Sequence, residues 1–251
     1  MVGTASVATA EPDGYTLVVS SIGGNIVSPA FHANAGFDGL RDFSHIAYLG
    51  GPPVVMFVHP SLGVTTYKDF VALARQSKEP TSYISPGTGS HGFLVAEYIA
   101  QRENYKVSHI PYKGVGPMVT DLLGGQIDFG VVALPSVHQH IKSGALRAIG
   151  ACADKRTAAA PDIPTFVEQG LSGYTMEAWF AVIGPKGMAP ALVKKVHDAV
   201  VVAFNDPGVK DTMAKQGNTI SITSTEQAQK GFRTELAKYA ALVKKAGIEP
   251  Q

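Results

Sequence analysis

The sequence predicts an α/β protein built as two lobes, and three observations predict it. Short β-branched or aromatic runs alternate with amphipathic segments from Tyr15 onward. Glycine or proline stands at nearly every junction between them. Two long extended apolar runs, "HIAYLGGPPVVMFVHP" (45–60) and "YTMEAWFAVIGP" (174–185), flank the central block of strand-helix units. Together they describe a chain that leaves one lobe, builds a second and returns, the wiring of a two-lobed cleft protein.

The elements follow in order. "GYTLVVS" (14–20) reads as a strand that runs into the turn "SIGGN" (21–25). Pro52 and Pro53 exclude a helix from the middle of the run 45–60. Thr66 and Asp69 open a helix. "TSYIS" (81–85) is a strand, "PGTGS" (86–90) a loop, and a helix starts near His91. "VSHIP" (107–111) and "YKGVG" (112–116) repeat that arrangement, with a helix from about Val115 whose Val115, Met118, Val119 and Leu122 share a face. "IDFGVVAL" (127–134) precedes a helix from Pro135, and "LRAIGACA" (146–153) is a further strand. Asp206 before Pro207 starts another helix, and Ser224 with Gln227 caps the last, where Phe232, Leu236, Tyr239 and Val243 share a face. Strand-helix alternation of this kind implies parallel sheets.

Composition narrows the function. Of 251 residues, 45% are hydrophobic and 16% charged, the balance of a chain able to bury a core. Lys and Arg total 21 against 20 Asp and Glu, with no basic block to track a phosphate backbone or an anionic leaflet, so neither nucleic acid nor a membrane surface is an expected partner. No helix-turn-helix segment is recognisable that would make it a DNA-linked sensor. The single cysteine, Cys152, has no internal partner and sits in an apolar run. No apolar stretch nears the roughly 18 residues of a membrane span, and the N-terminus lacks a basic region followed by an apolar one.

The glycine loops carry the chemistry. In open sheets, ligands bind where strand ends lead into helix N-termini. Gly87, Gly89 and Ser90 follow a strand and open a helix at His91, which gathers backbone N–H groups at a positive helix end. Ser85, Thr88 and Ser90 add hydroxyls without charge, a set suited to a carboxylate. Tyr112, Lys113 and Gly114 form a second such loop, and Ser20, Ser21, Gly23 and Gly24 a third anion-facing turn.

Other chemistries match less well. A P-loop requires Gly-Lys-Ser/Thr, and "SPGTGSHG" has no lysine. Gly87, Gly89 and Gly92 spell G-x-G-x-x-G, yet no acid lies at Val107–Ile110, where a ribose partner belongs. Thr88–Gly92 imitates the nucleophile elbow of a serine hydrolase with Ser90 as nucleophile, followed by Asp121 or Asp128 and by His138, His140 or His197, but the first glycine of the elbow is missing. His138 and His140, two apart on a helix, point apart, share no metal and face solvent.

With these segments placed, the sequence resembles the substrate-binding proteins of tripartite tricarboxylate transporters, the Bug or TctC family. The resemblance lies in "EPDGYTL" (11–17), "RDFSHIAYL" (41–49), "SPGTGSHGFLVAEY" (85–98), "HIPYKGVGPMVTDLLGGQID" (109–128), "LPSVHQHIKSGALRAIG" (134–150), "PDIPTFVEQGL" (161–171), "WFAVIGPKGM" (179–188) and "KAGIEP" (245–250), in family order across essentially the whole chain. It implies a type II periplasmic-binding-protein fold, with residues 1–56 and 177–251 forming one lobe and 57–176 the other. It implies periplasmic capture of a dicarboxylate or aromatic acid in the cleft, delivery to the transporter's membrane components, and no catalysis or cofactor. Carried over by position, Gly87–Ser90, Tyr112–Gly114 and Ser20–Ser21 are ligand-facing, and Trp179 with Phe180 lies where the chain recrosses the cleft.

Two departures refine this. Family members usually begin with a further strand, glycine loop, helix and strand, so the first lobe is expected to be N-terminally incomplete. Where many relatives carry an acid and an amide, this chain has Val132 and Ala133. That disfavours a cationic amino group, and with Trp179 and Phe180 it favours an apolar linker or ring between anionic ends. The three loops contain no arginine, so backbone dipoles, hydroxyls and bridging water are expected to hold the carboxylate.

Overall fold

The structure is a computed structural model that describes residues 2–21, 23–27, 36–112, 114–171 and 178–245. The chain divides into two compact units, Met1–Gly51 with Ala178–Gln251, and Pro52–Glu177. The first division falls before residue 56, because Val54–Val58 pairs with strands of the second unit.

In the first unit, helix α1 (Val2–Ala8) and strand β1 (Val18–Ser21) are followed by a short π-helical turn, Gly23–Val27, and by β2 (Phe43–Gly51). The chain returns as β8 (Phe180–Pro185), which runs between β1 and β2, antiparallel to both. A two-residue β9 (Thr219–Ile220) closes the sheet against β2, again antiparallel. The parallel pairing expected from the sequence is therefore absent from this sheet among the described residues. Its neighbours β2 and β8 are separated by the whole second unit, so no strand-helix-strand crossover fixes a parallel direction. Helices α6 (Pro190–Asn205) and α8 (Thr225–Lys245) pack on β2, and α7 (Pro207–Lys215) links α6 to β9. The core gathers Ile46, Ala47, Leu49, Val182 and Met188 against Leu192, Val196 and Val200 of α6.

The second unit is a five-stranded mixed sheet in the order β5-β4-β6-β3-β7. Strand β3 (Val54–Val58) is buried at every position, which is why its pattern is a continuous apolar run. It lies antiparallel between β6 (Phe129–Ala133) and β7 (Arg147–Cys152). Strands β4 (Thr81–Ser85) and β5 (Val107–Pro111) are parallel neighbours, and β4 is also parallel to β6. Here strand-helix-strand crossovers do operate, through α3 (His91–Glu103) and α4 (Val115–Leu123). Two further helices, α2 (Tyr67–Gln76) and α5 (His138–Lys142), complete the unit.

The caps form as the spacing predicts. Thr66 and Asp69 bond reciprocally at the start of α2. Ser224 and Gln227 do the same before α8, at 3.2 and 3.3 Å. The Asp206 carboxylate accepts from the Gly208 and Val209 amides at the start of α7. On α4, Met118, Val119 and Leu122 are buried and Val115 packs against the same core.

Candidate functional site

The parallel pairing of β4 with β5 brings two of the three predicted loops together. Ser85, the last residue of β4, pairs with Pro111, the last of β5, so the loops leave the sheet side by side. The Tyr112 amide donates to the Ser85 carbonyl at 3.3 Å, and the Gly114 amide to the Pro86 carbonyl at 3.4 Å. Ser85 is fully buried, Gly89 and His91 are buried, and Thr88 is exposed. Gly87 has φ +144° and Gly89 φ +74°, conformations that side chains resist, and both are needed for the turn into α3.

Ser90 caps α3: its Oγ accepts from the Phe93 amide at 3.2 Å, and its carbonyl takes the Leu94 amide. A hydroxyl used this way keeps its proton to donate outward. Among the described residues, the backbone N–H groups of Thr88, Gly89 and Gly92 make no backbone hydrogen bond. All three lie at or just before the positive end of a 13-residue helix.

On the second loop, the Tyr112 hydroxyl donates to the Asp121 carboxylate in a short bond. That bond pushes the phenol up to about 12, so Tyr112 is neutral and its oxygen is held at the second turn of α4. Gly114 precedes α4 with φ +105° and no side-chain cap. Lys113 lies outside the described residues.

The third turn belongs to the first unit. Ser20 is buried in β1, and the Ser21 Oγ accepts from the Gly24 amide at 3.2 Å. Gly23 opens the π-helical turn. Strand pairing sets Ser21 opposite Phe180, which is 37% exposed.

Two expected apolar contacts are spent on cores instead. Trp179 is 1% exposed, packs on Phe232 and Tyr48, and donates Nε1–H to Glu235 at 3.3 Å. Val132 is buried between sheet and helices, opposite Val55, and only the adjacent Ala133 is half-exposed. An alternating strand sends successive side chains to opposite faces, so the pair Val132–Ala133 and the pair Trp179–Phe180 each contribute one residue outward.

Sequence reasoning missed His109 as a partner of Ser85, and read Gly92 only as the third glycine of G-x-G-x-x-G. The His109 Nε2 lies 2.8 Å from Ser85 Oγ. A Cβ on Gly92 would stand 2.1 Å from the Val131 carbonyl oxygen, so α3 can seat on β6 only with glycine there. The pairing of β4 with β5 and β6 creates both contacts; the third glycine of G-x-G-x-x-G is a local signal for the second, and no local motif encodes the first.

The hydrolase reading has no support in this geometry. No hydrogen bond joins Ser90 to a histidine among the described residues; His197 bonds the Thr223 carbonyl in the first unit, and Asp128 is held by Ser82. His138 and His140 are half-buried rather than solvent-facing. No cluster of three or more His, Cys, Asp or Glu that could hold a metal occurs among the described residues, and no helix there is long and apolar enough to cross a membrane.

Comparison with known proteins decides the lineage. The family model described as "Tripartite tricarboxylate transporter family receptor" matches residues 1–248. The chain belongs to this TctC receptor family. It is 29% identical to the Bordetella pertussis protein BugT over 99% of this chain and 77% of BugT. A structure described as a periplasmic transporter superposes with a TM-score of 0.93 at 31% identity, covering 100% of this chain and 84% of that one. The periplasmic binding protein BugD gives 0.91 at 26%, and R. palustris Rpa4515 with adipate gives 0.93 at 26%, each covered to 84%. As a TctC receptor the chain has the periplasmic-binding-protein fold and binds a solute rather than transforming it, and its family works outside the cytoplasm with a tripartite transporter.

Proposed function

We propose that this TctC receptor captures a small dicarboxylate in the periplasm and that the Gly87–Ser90 loop holds one carboxylate. The observation that supports the reading is the set of amides at Thr88, Gly89 and Gly92, which make no backbone hydrogen bond among the described residues, beside the Ser90 hydroxyl at the start of α3. A carboxylate offers four lone-pair sites in a plane and matches such donors. Tyr112 and Gly114 flank the same loop. Adipate, found with a relative that is 26% identical, supplies the ligand class: two carboxylates on an apolar chain. The membrane subunits of a tripartite transporter are the partners this reading requires.

A thermal-shift panel of dicarboxylates, adipate with its shorter and longer homologues, tests it. A ligand at one hundred times its Kd adds about 2.7 kcal/mol, a rise of roughly 5–10 °C for a chain of this size. No shift with any acid in the panel would refute the proposal.

A further inference from the structure

Under the glycine loop sits a histidine that none of the loop motifs contains. His109 is the central residue of β5, paired with Tyr83 of β4. Its Nε2 lies 2.8 Å from Ser85 Oγ, and that oxygen is also 3.0 Å from the Gly87 carbonyl and 3.3 Å from the Gly87 amide. Ser85 has one proton for these three contacts. If it donates to histidine, the Gly87 carbonyl loses its donor. If His109 donates Nε2–H, the serine proton is free for Gly87, and all three contacts are satisfied at once.

We infer that His109 is a positioning residue for carboxylate capture, donating Nε2–H to Ser85 so that Ser85 can grip both polar groups of Gly87 and fix the peptide planes of the Gly87–Ser90 loop. The ring itself is held in place. It stacks on Tyr83 at 4.8 Å and 26° and touches Phe93 at 4.8 Å, while the Tyr83 hydroxyl donates to Glu97 at 2.6 Å. Burial lowers the imidazole to about 4, so it is neutral at physiological pH and contributes a hydrogen bond, not a charge. Strand β5 continues directly into Tyr112, whose amide bonds the Ser85 carbonyl, so one strand braces Ser85 through side chain and backbone together. A preorganised loop binds more tightly because less ordering remains to be done on binding.

The inference rests on the carboxylate reading, and its test separates the two. His109→Phe keeps the stacking and removes the donor; His109→Gln keeps a donor within reach. Calorimetry with adipate and amide hydrogen exchange over residues 85–90 of the ligand-free protein are the two readouts. Expected are about tenfold weaker binding in His109→Phe, the effect of one part-buried hydrogen bond, faster exchange at Gly87, Thr88 and Gly89, and recovery of both in His109→Gln. Wild-type binding and exchange in His109→Phe would reduce His109 to core packing and overturn the inference. If the wild type binds no dicarboxylate, the carboxylate reading fails, and exchange in the free protein still decides whether His109 sets the loop. Should His109→Phe not fold, Ser85→Ala cuts the same link from the other end, and unchanged exchange there overturns it equally.

Discussion

Gly92→Ala is a substitution for which helix propensity and packing predict opposite signs. Gly92 is the second residue of α3, in ordinary helical conformation, so alanine gains up to about 1 kcal/mol from propensity alone. The new Cβ, however, would lie 2.1 Å from the Val131 carbonyl oxygen, against the 3.4 Å at which ordinary contact begins. Both partners are backbone, one in a central strand and one in a helix, so neither yields without moving its element. The helix must retreat by about 1 Å, the kind of overpacking that costs roughly 1–3 kcal/mol and here stands near the upper end. Packing wins, with a net loss of about 1–2 kcal/mol and a fall in Tm of roughly 2–8 °C. Because α3 carries the Gly87–Ser90 loop on its first turn, adipate affinity falls with it. Gly231→Ala is the control: it lies inside α8 with nothing within 4 Å of its Cβ and raises Tm by about 2 °C or more. Calorimetric melts of both variants decide the matter, and a Gly92→Ala protein that melts higher than wild type would refute the reasoning.

The other expectations are more local. Ser90→Asp keeps a capping oxygen for the Phe93 amide but sets a negative charge at the proposed carboxylate site; Tm changes by less than about 2 °C while adipate binding is lost, and retained binding in calorimetry would count against the loop as the anion site. Trp179, the sole tryptophan and 1% exposed, emits as a buried indole and resists iodide quenching, and efficient quenching would contradict its assignment to the core. Burial raises the Glu97 carboxyl above its ordinary 4.5, although the Tyr83 hydrogen bond opposes this. An acid raised on folding contributes stability that is whole below the unfolded value and is lost as pH climbs through the folded one. Glu97→Gln keeps an acceptor for Tyr83 and removes the titration, so its advantage over wild type in denaturant melts grows from about pH 4 toward neutrality; a constant difference would exclude the effect.

The parts of this fold that the sequence foretold are those written in neighbouring residues. "TSYIS" and "VSHIP" are strands over the same five residues, 81–85 and 107–111, because β-branched and aromatic side chains end at proline in both. The helix start at His91 follows from a serine cap after two glycines, and that signal is complete within four residues. Strand direction is another matter. The β-branched run at 18–21 does not say that its partner is β8, some 160 residues on and antiparallel. The same holds for Trp179, whose burial depends on Phe232 and Glu235 of a helix near the other end of the chain. For Ser85 the hydroxyl was legible as part of the site, but its third bond comes from His109 across the sheet, and only the parallel register reveals it.

That register also bears on how a loop of small uncharged residues, proposed as the anion site, would hold its ligand. Between Ser85 and His91 there is no lysine or arginine, and glycines left alone would lose their amide geometry to chain entropy. Here the amides are fixed from outside the loop: Ser85 bonds Gly87, Tyr112 and Gly114 clasp Ser85 and Pro86, and Val131 abuts Gly92. The sheet bears the ordering cost once, on folding, so the loop can meet its ligand with dipoles already aimed. A site of this kind has little formal charge to be screened by salt, in contrast to one built on an exposed ion pair. On the proposed reading its strength lies in the strands that hold the loop, and Gly92 and His109 then matter to the ligand alongside the loop residues.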